Sequence, residues 1–262
     1  MRYDAVFLMR YMMSRRKIFA GNWKMYTTRS EAGSLIDGIR AGIGSIGDKE
    51  VIVFPPAVHL RDVAELAKGS IGVGAQNMYF EENGAFTGEI SPVMVKDAGA
   101  GFILIGHSER RHVFGETDEL VNKKVHAAYS YSLDPVVCVG ELLEERESGQ
   151  SEAVVKRQIA EGLSGITAEQ MKKMIIAYEP VWAIGTGKVA TPEIAESMHR
   201  YIRSVLADMY GDSVAGSVPL LYGGSVKPDN IAGLYAVEDI DGVLVGGASL
   251  KADSFLDIIH GA

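Results

Sequence analysis

Among 262 residues there is a single cysteine, Cys138. No intrachain disulfide can form, and a reducing, cytoplasmic compartment is expected. No apolar run reaches the roughly 18 residues of a membrane-spanning helix, so no membrane partner is expected. An excess of basic charge is missing too. The net charge is −8, whereas a general nucleic-acid binder is more often basic, so nucleic acid is not expected as a partner. No G-x-G-x-x-G follows the first apolar run, which argues against a dinucleotide-binding sheet. His107, Glu109 and His112 stand at offsets that share no helix face, and no other ligand cluster appears. Neither a metal nor a cofactor is therefore expected.

Linkers and low-complexity blocks are also absent. Only the start of the chain departs from the rest. Its apolar run, residues 5–9, is broken by Arg10, and no small-residue cleavage site follows. That is short for a secretory signal. Residues 1–16 hold four arginines against one aspartate. Residues 1–15 are read as a flexible or loosely docked extension, with Met12 or Met13 as an alternative start. Residues 16–262 are read as one catalytic domain.

Glycine is abundant, 30 residues of 262, against a typical ~7%. Short apolar, β-branched runs recur at 17–21, 51–54, 71–75, 102–105, 135–139, 174–178, 219–222 and 242–245. They are continuous rather than alternating, as in strands covered on both faces of a parallel sheet. Stretches of helical period separate them, at 30–43, 58–67, 119–131, 151–163, 192–209, 229–235 and 250–259. The rhythm is roughly 30 residues, one βαβ unit. Eight such units allow a closed barrel or an open doubly wound sheet. Strand number favours the barrel, because eight strands close around an interior that side chains fill. The expected fold is α/β, a single (β/α)8 barrel with a closed, parallel, eight-stranded sheet.

In such a barrel the polar residues that follow each strand converge on one face. Asn22 and Lys24 follow the first strand, Gln76 and Asn77 the third, and His107, Ser108 and Glu109 the fourth. Glu141 follows the fifth and Glu179 the sixth. Two glycine turns, Gly223-Gly224-Ser225 and Gly246-Gly247, follow the last two. Either pair alone is ordinarily a tight turn. Two in consecutive units, with a serine hydroxyl, point to a phosphate cradle.

AGNWKM (20–25), GAFTGEIS (84–91), LIGHSERR (104–111), AYEPVWAIGTGKVAT (177–191), LYGGSV (221–226) and LVGGASL (244–250) resemble the triosephosphate isomerase family, in order, from about residue 17 onward. The resemblance implies the TIM barrel and interconversion of dihydroxyacetone phosphate and D-glyceraldehyde 3-phosphate through an enediolate. It implies Glu179 as base, its pKa raised by burial towards the working pH. His107 is implied as a neutral electrophile; the handling of charge by such a histidine near a helix N-terminus is the known pattern of this family. Lys24 would stabilise developing negative charge, and Asn22 would bind substrate or orient Lys24. Glu109 either shuttles protons or pairs with Lys24. Asn22, Lys24, Gly185, Ser225, Gly246 and Gly247 would hold the phosphate. Residues 180–190 would form a lid that closes over the site. Loop 76–89 would carry Thr87 beside a partner subunit's active site, which makes a homodimer. Two other readings stay open. A Schiff-base aldolase needs a lysine inside an apolar strand, and Lys24 lies past a strand end. A non-catalytic binding protein on the same scaffold needs a missing catalytic residue, and none is missing.

Overall fold

The computed structural model describes residues 15–184 and 190–262. Eight parallel strands close into a barrel in sequence order. They are β1 (Lys17–Asn22), β2 (Lys49–Phe54), β3 (Gly72–Ala75), β4 (Phe102–Ile105), β5 (Asp134–Val139), β6 (Ile175–Tyr178), β7 (Leu220–Tyr222) and β8 (Gly242–Val245). Closure comes from β1 pairing with β8, Ile18 against Gly242 through Gly21 against Val245.

Each strand is buried on both faces because its two sets of side chains serve two cores. Ile18, Ala20, Ile52, Phe54, Leu104, Val136, Cys138, Ile175, Ala177, Leu221 and Leu244 form one cluster, inside the barrel. Their neighbours in sequence, such as Phe19, Val51, Val53, Ile103, Val137 and Ile176, belong to the larger cluster beneath the helices. The period of two along each strand makes that division. Gly74 serves the inner core by lacking a side chain, since a Cβ there would run into the Phe54 ring.

Helices start where the residue types require it. Thr28 caps helix Arg29–Gly42 in a capping box with Glu31. Thr191 caps helix Pro192–Tyr210, with proline in the first turn. These helices return the chain to the opposite end of the barrel, so every strand reaches the same rim at its C-terminus. At the far rim Arg15, last residue of the expected extension, donates from Nε to Asp241 Oδ1 at 2.7 Å. The remainder of that extension, 1–14, lies outside the described residues. No described helix is long and apolar enough to cross a membrane.

Candidate active site

At the C-terminal rim lies a cavity of about 370 Å3, lined by Asn22, Lys24, His107, Glu179, Ser225 and Gly246 among others. Gly223, Gly224 and Gly247 line it as well. Residues from five strand ends, distant in sequence, thus share one hollow. Gly185 lies outside the described residues, as do the others from 186 to 189 in the expected lid.

β6 delivers Glu179. Its backbone N–H donates to Val139 O at 2.8 Å, extending the β5–β6 ladder by one residue. The carboxylate is buried. Oε1 lies 2.9 Å from His107 Nε2, and Oε2 accepts from the Ser108 N–H at 2.8 Å. β4 delivers His107, which is the N-cap of the short helix Ser108–His112. The ring's Nδ1 accepts from the Glu109 N–H at 3.2 Å. An imidazole nitrogen that accepts carries no proton, so in this geometry the ring is neutral, with its hydrogen on Nε2.

Charge around the pair runs in two directions. Burial pushes the Glu179 carboxyl up. The attraction of His107, its hydrogen bond and the Ser108 N–H outweigh that and hold it below the usual carboxylate range. This differs from the expectation that burial governs Glu179, and the reason is the His107 contact. Burial pushes His107 down, but the charge of Glu179, its hydrogen bond and Glu109 raise the ring's affinity for a second proton. Taking that proton at Nδ1 would break the bond from the Glu109 N–H. With Glu179 drawn away from the ring, the raising influence weakens and the neutral form is favoured.

Lys24 lines the same cavity. Its backbone is left-handed, φ 51°, a conformation that costs a non-glycine residue on the order of 1–3 kcal/mol. Three contacts hold it there. Lys24 N–H donates to Asn22 Oδ1 at 3.0 Å. Gln76 Nε2 donates to the carbonyls of Lys24 and Phe54, both at 2.8 Å. The ammonium donates to Glu109 Oε1 at 2.7 Å. Asn22 therefore orients Lys24, and Glu109 pairs with it. Cys138 belongs to the barrel interior. Burial, then the charge of Glu179, push its thiol well above its ordinary pKa, so it stays protonated.

Glu141 is the feature that residue types alone did not reveal. It is fully buried and accepts from Tyr178 Oη at 3.0 Å and from Trp182 Nε1 at 2.9 Å. The Arg146 guanidinium lies 3.4 Å from Oε1 and also covers the Trp182 ring at 4.7 Å. This carboxylate fastens the segment just after Glu179. Its place at the end of β5 was the only sign in the sequence, and such a position does not tell an anchor from a solvated acid. Among the described residues no group of three His, Cys, Asp or Glu is placed to hold a metal.

The family model described as triosephosphate isomerase matches residues 17–262. A triosephosphate isomerase of Roseiflexus castenholzii is 54% identical over 247 residues, 94% of this chain and 97% of the relative. One from Carboxydothermus hydrogenoformans is 52% identical over 249 residues, 95% and 99% of the two chains. Another, from Caldanaerobacter subterraneus, is 54% identical over 94% of this chain and 99% of its own.

Proposed function

The chain belongs to the triosephosphate isomerase family, an isomerase family, and from that premise we propose that it interconverts dihydroxyacetone phosphate and D-glyceraldehyde 3-phosphate with Glu179 as the base. The observation that carries this reading is the His107–Glu179 pair, 2.9 Å apart, in a cavity that also holds Lys24 and two glycine turns. The glycine turns, Ser225 and Lys24 receive the phosphate, with Gly185 added from the lid.

The course of the reaction follows from the contacts of the empty site. The substrate's carbonyl oxygen replaces Glu179 as the acceptor of the His107 Nε2–H. Glu179 leaves His107 and the Ser108 N–H and turns to the carbon that bears the proton. Those two contacts are what hold its pKa down, so the move leaves burial to act and makes the carboxylate a stronger base. Glu179 takes the proton from one carbon and returns it to the next, while His107 gives its Nε2 proton to the carbonyl oxygen and takes the hydroxyl proton from the neighbouring oxygen, so the ring ends as it began. The neutral ring and Lys24 stabilise the enediolate oxygen charge. Closure of 180–190 expels water and keeps the enediolate from losing phosphate. Glu141 gives that segment a fixed base on which to turn.

Apolar side chains at the same rim support a homodimer. Met25 is 94% exposed and Val58 82%. Loop 76–89 carries Phe86, tilted against Tyr79 with ring centroids 4.5 Å apart, and Thr87 beside it. We place the enzyme in the cytoplasm, in glycolysis and gluconeogenesis.

A coupled isomerase assay tests the reading. Wild type should turn over either triose phosphate. Glu179→Asp should cut kcat by on the order of 10²–10³-fold, because withdrawing the carboxylate by one methylene misplaces the base by about 1 Å. Its melting temperature should stay near wild type. A variant that turns over at nearly the normal rate would remove Glu179 as the base.

A further inference from the structure

Among the described residues two lysines line the cavity, Lys24 and Lys227. The first is committed, since its Nζ lies 2.7 Å from Glu109 Oε1. No carboxylate among the described residues lies within ion-pair distance of Lys227, which is exposed and lines the cavity two residues beyond Ser225. Among the described residues, removal of Lys227 would leave Lys24 alone to face the carboxylates of Glu179 and Glu109. An anion entering a protein of net charge −8 would then meet a site that repels it at long range.

The backbone under Lys227 is fixed. Its N–H donates to Asn230 Oδ1 at 2.8 Å, and Asn230 Nδ2 donates to Ser225 O at 3.0 Å. Pro228 restricts the next φ. The lysine stem therefore rises from a set point, two residues beyond the Ser225 hydroxyl, while its head keeps its freedom. That is what a capture group needs, because a head locked in an ion pair would have to be released first.

We propose that Lys227 is a phosphate-capture residue: it draws the substrate's phosphate to the glycine turns and joins Lys24 in holding it there, while Lys24 also serves the reacting oxygens. This rests on the proposed isomerase reading and adds to it the group that recruits the substrate. Its charge acts on encounter and ground-state binding, so it shows in KM and in the salt dependence rather than in the chemical step.

The test compares wild type with Lys227→Gln and Lys227→Arg. Lys156→Gln is the control, an exposed lysine on helix Ser151–Gly162 whose loss changes the net charge equally. At low ionic strength Lys227→Gln should lose roughly five- to tenfold in kcat/KM, mostly through KM, and the deficit should shrink as salt screens the field. Lys227→Arg should restore most of it, and Lys156→Gln should resemble wild type. The dissociation constant of inorganic phosphate, measured by calorimetry, should rise in Lys227→Gln by a similar factor. An equal kcat/KM for Lys227→Gln and Lys156→Gln, or a deficit indifferent to salt, overturns the proposal. If the wild type turned over no triose phosphate, the isomerase reading would fall. Phosphate affinity alone would then decide the role of Lys227.

Discussion

Gly223 shows how little room the base has. A Cβ built there would lie 2.9 Å from Glu179 Cγ and 3.1 Å from Tyr178 O, and its N–H is already bonded to that carbonyl at 2.7 Å. Gly223→Ala should push the carboxylate aside. We expect kcat to fall by about tenfold or more and stability by roughly 1–3 kcal/mol. Steady-state kinetics and thermal melts on one preparation check this, and an unchanged kcat would show that the carboxylate does not need that space. At this scale, motif and strand-end position were enough to expect Glu179, His107 and Lys24 in one cavity, where they lie. Their charge states were not legible, because they depend on which atoms touch. Burial alone favours a raised Glu179, whereas the ring nitrogen beside it reverses the direction. The left-handed turn at Lys24 was hidden for the same reason, since its supports, Asn22 and Gln76, come from two different strand ends.

Helix Pro192–Tyr210 buries His199 completely. Its Nδ1 lies 2.9 Å from Asp239 O, and the ring meets Tyr178 edge-on at 5.9 Å. Burial drives the imidazole down to about 4, against the raising influence of the Asp239 carbonyl and the Asp241 charge. An unfolded chain takes up that proton near pH ~6.5. Below that value unfolding is favoured, so the stability present at neutral pH is lost as pH falls towards 4. The full loss is about 3 kcal/mol, or roughly 6–12 °C in melting temperature. His199→Asn, which keeps a donor for Asp239, should flatten this slope between pH 7 and 4.5 in calorimetric scans. A parallel slope in the two proteins would rule His199 out as its source. Strands and long helices were legible from the sequence because their patterns are unbroken: 102–105 and 242–245 coincide with β4 and β8. The short helices Pro92–Asp97, Leu143–Glu147 and Ala168–Met171 went unseen. Four to six residues make too few turns to display a period, and only the Thr167–Gln170 capping box marks the last of them.

At the scale of the whole molecule, the proposed homodimer rests on the apolar rim. Val113 and Phe114, which follow β4, are 70% and 67% exposed, and Met25 and Val58 follow β1 and β2 at the same rim. Isolated apolar residues on a surface are ordinary, whereas a group of them near one rim marks an interaction face. Light scattering should give twice the chain mass of 28.3 kDa. Phe86→Asp should shift the population towards monomer and weaken catalysis together, because Met25 adjoins Lys24. A monomeric wild type of full activity would dismiss the dimer. The pairing of β1 with β8 has another consequence, in time rather than in space. Lys17 and Asp241, joined by an ion pair at 3.1 Å, stand 224 residues apart in the chain. At the roughly 5–20 residues per second of protein synthesis, the first strand waits on the order of 10–45 s for its last neighbour to leave the ribosome. Throughout that interval its outer edge has unsatisfied backbone groups, so the nascent polypeptide is most prone to aggregate during translation, before the ring can shut.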